Sequence, residues 1–248
     1  MAYLIISILL QVAFIVHVIK TGRNFLWIWV LVLPVLAVPG MLAYLAIEVI
    51  PELLRSRTAR RTARGVKKAL DPQADLRRFE SEARVTGNVA NRQRYADELV
   101  RHGRYDEAVE VYRQALTGLY EHDPNLMLGL ARAQFGKGEA AAARATLEAL
   151  FQANPDMRSP EARLLYARAL ESEGAAERAL QEYRSLAPAF PGAEASVRYA
   201  QLLKAQGREA EAVSIARDLL EQARIAPAHY RRAQRSWLDT AERLAAGR

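Results

Sequence analysis

Three cations recur 36 residues apart in the C-terminal part of the chain: Arg132, Arg168 and Lys204. Side chains of this kind, set at a regular interval, hold carboxylates, either on acidic side chains or at a chain terminus. A second group is far denser. Arg55, Arg57, Arg60, Arg61, Arg64, Lys67 and Lys68 crowd into one short run without an acid among them, and such a run attracts phosphate, in nucleic acid or in lipid headgroups. Other reactive types are sparse. The chain has no cysteine, so disulfides, thiolate nucleophiles and cysteine zinc sites are excluded. The four histidines, His17, His102, His122 and His229, are dispersed and lack the spacing of metal ligands. No glycine-rich phosphate loop is present, and most acids fall on amphipathic helices, where a solvated face accounts for them. No catalytic, cofactor-binding or metal-binding residues are expected, and the chain reads as a non-enzyme.

The charge distribution separates phosphate in nucleic acid from phosphate in lipid. Of 248 residues, 35 are Lys or Arg and 28 are Asp or Glu, a net charge of +7. Residues 1–54 balance Lys20 and Arg23 against Glu48 and Glu52, and residues 71–248 hold 26 basic and 26 acidic residues. The whole excess therefore sits in residues 55–70. A nucleic-acid-binding domain spreads its basic face over the folded unit, so nucleic acid is not the expected partner.

The elements around the basic run point to lipid. Residues 3–19 are apolar apart from Gln11 and His17, and residues 25–50 carry no charge before Glu48. At about 1.5 Å per residue the first spans roughly 26 Å as a helix, enough for a hydrocarbon core. The second is longer and can tilt or kink at Pro34 and Pro39. Only the five residues KTGRN separate them, so residues 1–54 are expected to form a transmembrane helical hairpin, with Tyr3, Trp27, Trp29 and Tyr44 supplying interfacial aromatics. Counting Lys and Arg beside the spans sets seven against two and places both termini in the cytoplasm. The seven cations of the 55–70 linker then fix topology and face the headgroups. His17 lies close to the hairpin tip, where headgroups can solvate it.

This segment resembles the phospholipase D/nuclease N-terminal region, the membrane hairpin of bacterial cardiolipin synthases, through Arg23, Trp27, Gly40 and Tyr44. Pro34 and Pro39 depart from that family's proline position, which falls on Ala37 here. The resemblance implies a bacterial inner-membrane protein. It does not imply phospholipase chemistry, because no histidine begins the His-x-Lys-x4-Asp motif that such chemistry uses.

Residues 89–225 repeat. Three series step together by 35, 36 and 33 residues: Ala96, Ala131, Ala167 and Ala200; Gly103, Gly138, Gly174 and Gly207; and Ala108, Ala143, Ala179 and Ala212. Small residues let paired helices approach closely, and glycine ends the first helix of each pair at a positive φ. Prolines open repeats at Pro124 and Pro160. One helix pair cannot bury its apolar face alone, whereas a stack of pairs can. The pattern resembles four tetratricopeptide repeats. Residues 71–88 read as a capping helix with Leu76, Phe79 and Ala83 on one face. Residues 226–248 read as a C-terminal capping helix, with Tyr230, Ala233, Trp237, Leu238, Ala241 and Leu244 at helical spacing and Trp237 in the core. The fold class is thus all-α: a two-helix transmembrane hairpin followed by an α-solenoid of about four helix pairs with flanking caps.

The tetratricopeptide resemblance implies a groove lined by the first helix of each repeat. The residues it places there are Gln93, Asp97, Leu128, Arg132, Phe135, Leu164, Arg168, Gln201 and Lys204. Among these, Arg132, Arg168 and Lys204 would form a basic track that favours an acidic or C-terminal peptide. The expected function is a non-catalytic, membrane-anchored adaptor or scaffold that binds protein partners at the cytoplasmic face of a bacterial inner membrane. The hairpin's resemblance leaves an alternative open, an accessory role in phospholipid metabolism or envelope assembly. Membrane lipids and protein or peptide partners are expected, and the oligomeric state stays open.

Overall fold

The computed structural model describes Asp71 and residues 73–247, together with Val16, Ile19 and Lys20. Two units separate, Met1–Ala74 and Asp75–Arg248. In the first, Val16, Ile19 and Lys20 are helical, and Val16 and Ile19 are exposed. Apart from these three residues, the expected hairpin of residues 1–54 and the cations of residues 55–70 lie outside the described residues. No helix among the described residues is long and apolar enough to cross a membrane.

Every regular element among the second unit's described residues is a helix. Its elements are α1 (Ala74–Thr86), α2 (Val89–Arg101), α3 (Tyr105–Ala115), α4 (Pro124–Lys137), α5 (Ala140–Ala153), α6 (Pro160–Ser172), α7 (Ala176–Leu186), α8 (Glu194–Ala205), α9 (Glu209–Ile225), α10 (Ala228–Ala233) and α11 (Arg235–Ala245). Helices α2/α3, α4/α5, α6/α7 and α8/α9 are the four repeat pairs, each a first helix and a second helix.

Local chemistry sets the starts and stops. The Asp123 carboxylate accepts from the backbone N–H groups of Asn125 and Leu126, both at 3.0 Å, and Pro124 begins α4 where no N–H is needed. Asn88 caps α2 through the N–H of Asn91, and Ser159 caps α6 through that of Ala162, again ahead of a proline. At the far end of α4, Gly138 turns to φ 94°, which a side chain would resist.

The two alanine series are the contact points. All four first-helix alanines are fully buried, and the second-helix alanines are 0–2% exposed. A larger residue at any of them would hold the helices apart. The apolar residues divide into two clusters. One gathers Leu76 of α1 with Leu99, Val109, Tyr112, Leu126, Leu130 and Ala133. The other runs from Met127, Leu128 and Ala131 through repeats three and four to Leu238, Ala241 and Leu244 of α11. Helix α4 contributes to both.

The C-terminal segment differs from the single helix read in the sequence. The backbone leaves helical geometry at Gln234, with φ −98° and ψ 9°, and two helices result. The cause is visible in the side chain: Gln234 Oε1 accepts the N–H of Ala193, just ahead of α8, at 3.1 Å. No side chain from α8's own segment caps that helix. The break also changes the phase, so that Leu238, Ala241 and Leu244 are buried while Ala233 is exposed. Helix α11 packs on both α8 and α9, as a first helix packs on the preceding pair.

Candidate functional site

The nine residues expected to line a groove sit on α2, α4, α6 and α8, and the first-helix alanines fix their register. Three residues before the alanine stand Gln93, Leu128 and Leu164. Leu128 and Leu164 are each only 7% exposed and belong to the second core cluster, so they support the face from beneath and present little area to a ligand. Gln93 is half-buried.

One residue after the alanine stand Asp97, Arg132, Arg168 and Gln201. Asp97 accepts a 2.5 Å hydrogen bond from the hydroxyl of Tyr112. Tyr112 is buried; burial first, and then this bond to a carboxylate, push its phenol far above the ordinary tyrosine range. Arg132 Nη2 lies 2.6 Å from Glu161 Oε2 on α6. Arg168 repeats the arrangement one pair later, with Nη1 3.9 Å from Glu194 Oε1 on α8. Both glutamates occupy the position six residues before their own alanine. The pairs therefore form a ladder that links α4 to α6 and α6 to α8.

Four residues after the alanine stand Phe135 and Lys204. The Arg168 guanidinium lies over the Phe135 ring at 4.8 Å, and its buried Nε has no hydrogen-bond partner. From Glu194 the strip continues to Arg198 at 2.8 Å, whose guanidinium lies over Trp237 of α11 at 5.4 Å. Trp237 is half-buried against the core.

The structure thus alters the expected basic track in two ways. Arg132 and Arg168 each carry a glutamate, so the strip is of mixed charge. Lys204 is one helical turn out of line: the last repeat step is 33 residues, so a spacing of 36 carries Lys204 past the register that Gln201 occupies. Among the described residues, Lys204 has no ion-pair partner within 4.0 Å. The acids Glu161 and Glu194 and the pair Arg198–Trp237 escaped the sequence reading. Arginine one after and glutamate six before successive alanines was the signal available for the first two.

Two further charge groups are built in. Glu98 is 2% exposed at a position where the other repeats bury Ala133, Ala169 and Leu202; it bonds Arg101 and lies 3.4 Å from His102 Nε2. On the second-helix side, Glu148 accepts from Arg144 at 2.8 Å and from Tyr166 at 3.0 Å, while Arg144 also reaches Glu173 at 2.9 Å. Burial pushes the Glu148 carboxyl up, but the bonds from Arg144, Tyr166 and Arg178 outweigh it and hold the group below the usual carboxylate range. Among the described residues, no three His, Asp or Glu side chains gather as a metal site would require.

Residues 99–158 match the sequence model of the tetratricopeptide repeat family. Solved structures extend the likeness along the chain. MamA residues 41 to the end from Desulfovibrio magneticus RS-1 superpose with a TM-score of 0.56 at 17% identity, over 66% of this chain and 93% of that one. The fold is that of tetratricopeptide repeats. A putative kinesin light chain of nearly identical tetratricopeptide-like repeats from Podosopora anserina gives 0.52 at 21% identity, over 64% and 88% of the two chains. YrrB, described as a tetratricopeptide repeat protein with an unusual peptide-binding site, gives 0.50 at 17% identity over 68% and 92%. No curated protein matches the chain. In the tetratricopeptide frame, α2, α4, α6 and α8 are the first helices that carry the candidate residues, and α11 stands where a fifth would begin.

Proposed function

We propose that the protein is a non-catalytic adaptor whose tetratricopeptide solenoid binds an extended peptide segment of a partner protein along the first-helix face. The observation that carries this reading is the strip of α4, α6 and α8, where Arg132, Arg168 and Gln201 hold one register on three successive first helices. Beneath it the core positions are filled, so what remains for a ligand is a line of polar groups over a rigid floor. Peptide binding by YrrB on the same fold supports the reading. The mixed charge of the ladder favours a partner that presents both signs, since it must match Glu161 and Glu194 as well as their arginines.

The adaptor is held at the cytoplasmic side of a bacterial inner membrane by the hairpin of residues 1–54, with both termini cytoplasmic. The apolar runs and the seven cations after them support this part. Tethering raises the effective concentration of a bound partner beside membrane complexes. The likeness of Arg23, Trp27, Gly40 and Tyr44 to the cardiolipin synthase hairpin supports a second reading, an accessory role in phospholipid metabolism. Co-purification with a phospholipid synthase would favour it.

A photo-crosslinking residue at Arg132 or Gln201 tests the adaptor reading in cells. Discrete adducts are expected from these positions and not from exposed Ala149 on α5. Equal labelling from both sides would overturn it. Resistance of the full chain to carbonate extraction from membranes tests the anchor.

A further inference from the structure

Ion pairing is the rule along the solenoid and stops near its C-terminal end. Of the sixteen arginines from Arg78 to Arg208, twelve sit within 4.0 Å of a carboxylate, and Arg92, Arg94, Arg158 and Arg184 show no such pair among the described residues. Among the described residues, none of Arg224, Arg231, Arg232, Arg235 and Arg243 has a carboxylate that near. Residues 222–238 contain no acid at all. Asp218 and Glu221 lie one to two turns back on α9 without reaching Arg224. Arg231 donates to the carbonyls of Arg224 and Ala226 at 3.1 and 3.0 Å, closing the end of α9, and Arg232 donates to that of Ala228. These contacts anchor the side chains and leave their charge uncompensated.

The same stretch is apolar where it is not cationic. Ile225 is 83% exposed at the last residue of α9, and exposed Pro227 and Ala228 and half-buried Tyr230 follow. Helix α10 buries no residue, alone among the described α-helices. A helix that buries nothing returns little for the entropy lost in ordering it, so its fold is not explained by the core. An exposed isoleucine and a half-buried tyrosine among unpaired arginines suit the headgroup region of an anionic bilayer. There the cations meet phosphate and the apolar groups leave water.

We infer that residues 224–235 are a docking surface for anionic lipid, formed by the end of α9, by α10 and by the first residue of α11. The choice of lipid over a soluble acidic partner rests on the membrane anchor proposed above; the unpaired cations and bare helix do not. The patch is distinct from the first-helix strip, so a solenoid docked through it can still bind a peptide.

The test uses the full chain with lipid bilayers containing phosphatidylglycerol or only phosphatidylcholine. Hydrogen exchange is followed at residues 224–235, and carbonate washing separately scores anchoring. Slowed exchange is expected with phosphatidylglycerol only, reversed by 1 M salt, which shortens the screening length from about 8 to about 3 Å. It is also expected to be lost in the triple variant Arg224→Gln, Arg232→Gln, Arg235→Gln. None of these three is buried, so folding is retained, and circular dichroism verifies it. Carbonate-resistant protein with identical exchange in both bilayers would sink the lipid surface and leave the anchor standing. Carbonate-labile protein still protected by phosphatidylglycerol would do the reverse. Protection by polyglutamate or duplex DNA with none from phosphatidylglycerol would also overturn it.

Discussion

The ring of Tyr112 occupies the place where a Cβ on Gly129 would stand, with ring carbons 2.4 Å from it. Seven residues along both helices, Tyr105 does the same to Gly136 at 2.3 Å. Two tyrosines of α3 are thus seated in two notches of α4, and together they join repeat one to repeat two.

The two notches should respond unequally to alanine. Gly→Ala within a helix gains about 1 kcal/mol from propensity. At Gly129 that gain is opposed by Tyr112, which is 1% exposed and tied to Asp97, so the ring cannot swing aside. Overpacking of this kind costs about 1–3 kcal/mol or more. Gly129→Ala should lower the urea midpoint, whereas Gly136→Ala should leave it near or above the wild-type value, because Tyr105 is half-exposed and can move.

Tyr112 and Tyr183 are matched buried phenols, the second donating to Glu171 at 2.7 Å. Burial, then the carboxylate bond, raises both. A folded-state value raised above the unfolded one leaves stability intact below about pH 10 and removes it as the pH climbs further. Absorbance at 295 nm should therefore show these two tyrosines ionising only together with loss of helical circular dichroism. Tyr183→Phe should delay that alkaline loss and cost about 1–2 kcal/mol at neutral pH, where Glu171 loses its donor.

Glu148 gives the opposite dependence. Its folded value is depressed, so its contribution is present above the ordinary glutamate value of about 4.3 and disappears as the pH falls through the lower folded value. The acid limb of stability against pH should be shallower in Glu148→Gln than in the wild type. The group is 35% exposed, so solvent screening keeps the difference small.

Gln234→Ala should remove the acceptor from the buried Ala193 N–H and cost about 1 kcal/mol. Amide exchange at residues 193–196 should rise, with repeats one and two unchanged.

What was legible in the sequence is what all four repeats share. Ala96, Ala131, Ala167 and Ala200 recur because every helix pair meets the same packing demand, and Gly103, Gly138, Gly174 and Gly207 recur because every first helix stops with a positive φ. What belongs to one interface leaves no series. Tyr105 has no counterpart on the other second helices, Tyr112 is matched by Tyr183 but meets a glycine only on α4, and Gln234 interrupts a helical pattern to serve a backbone 41 residues away. Lys204 shows the converse hazard, since equal spacing in number concealed a displaced turn. The arginines of the strip were legible as cations but not as ladder rungs, because their glutamates lie on the next pair.

Helix α4 has two masters. Leu126, Leu130 and Ala133 face one apolar cluster, and Met127, Leu128 and Ala131 face the other. Heat or denaturant therefore acts on two melting blocks hinged on one shared helix. The first repeat can open while the larger block keeps α4 wound, but the larger block cannot let go of α4 without taking the first repeat with it.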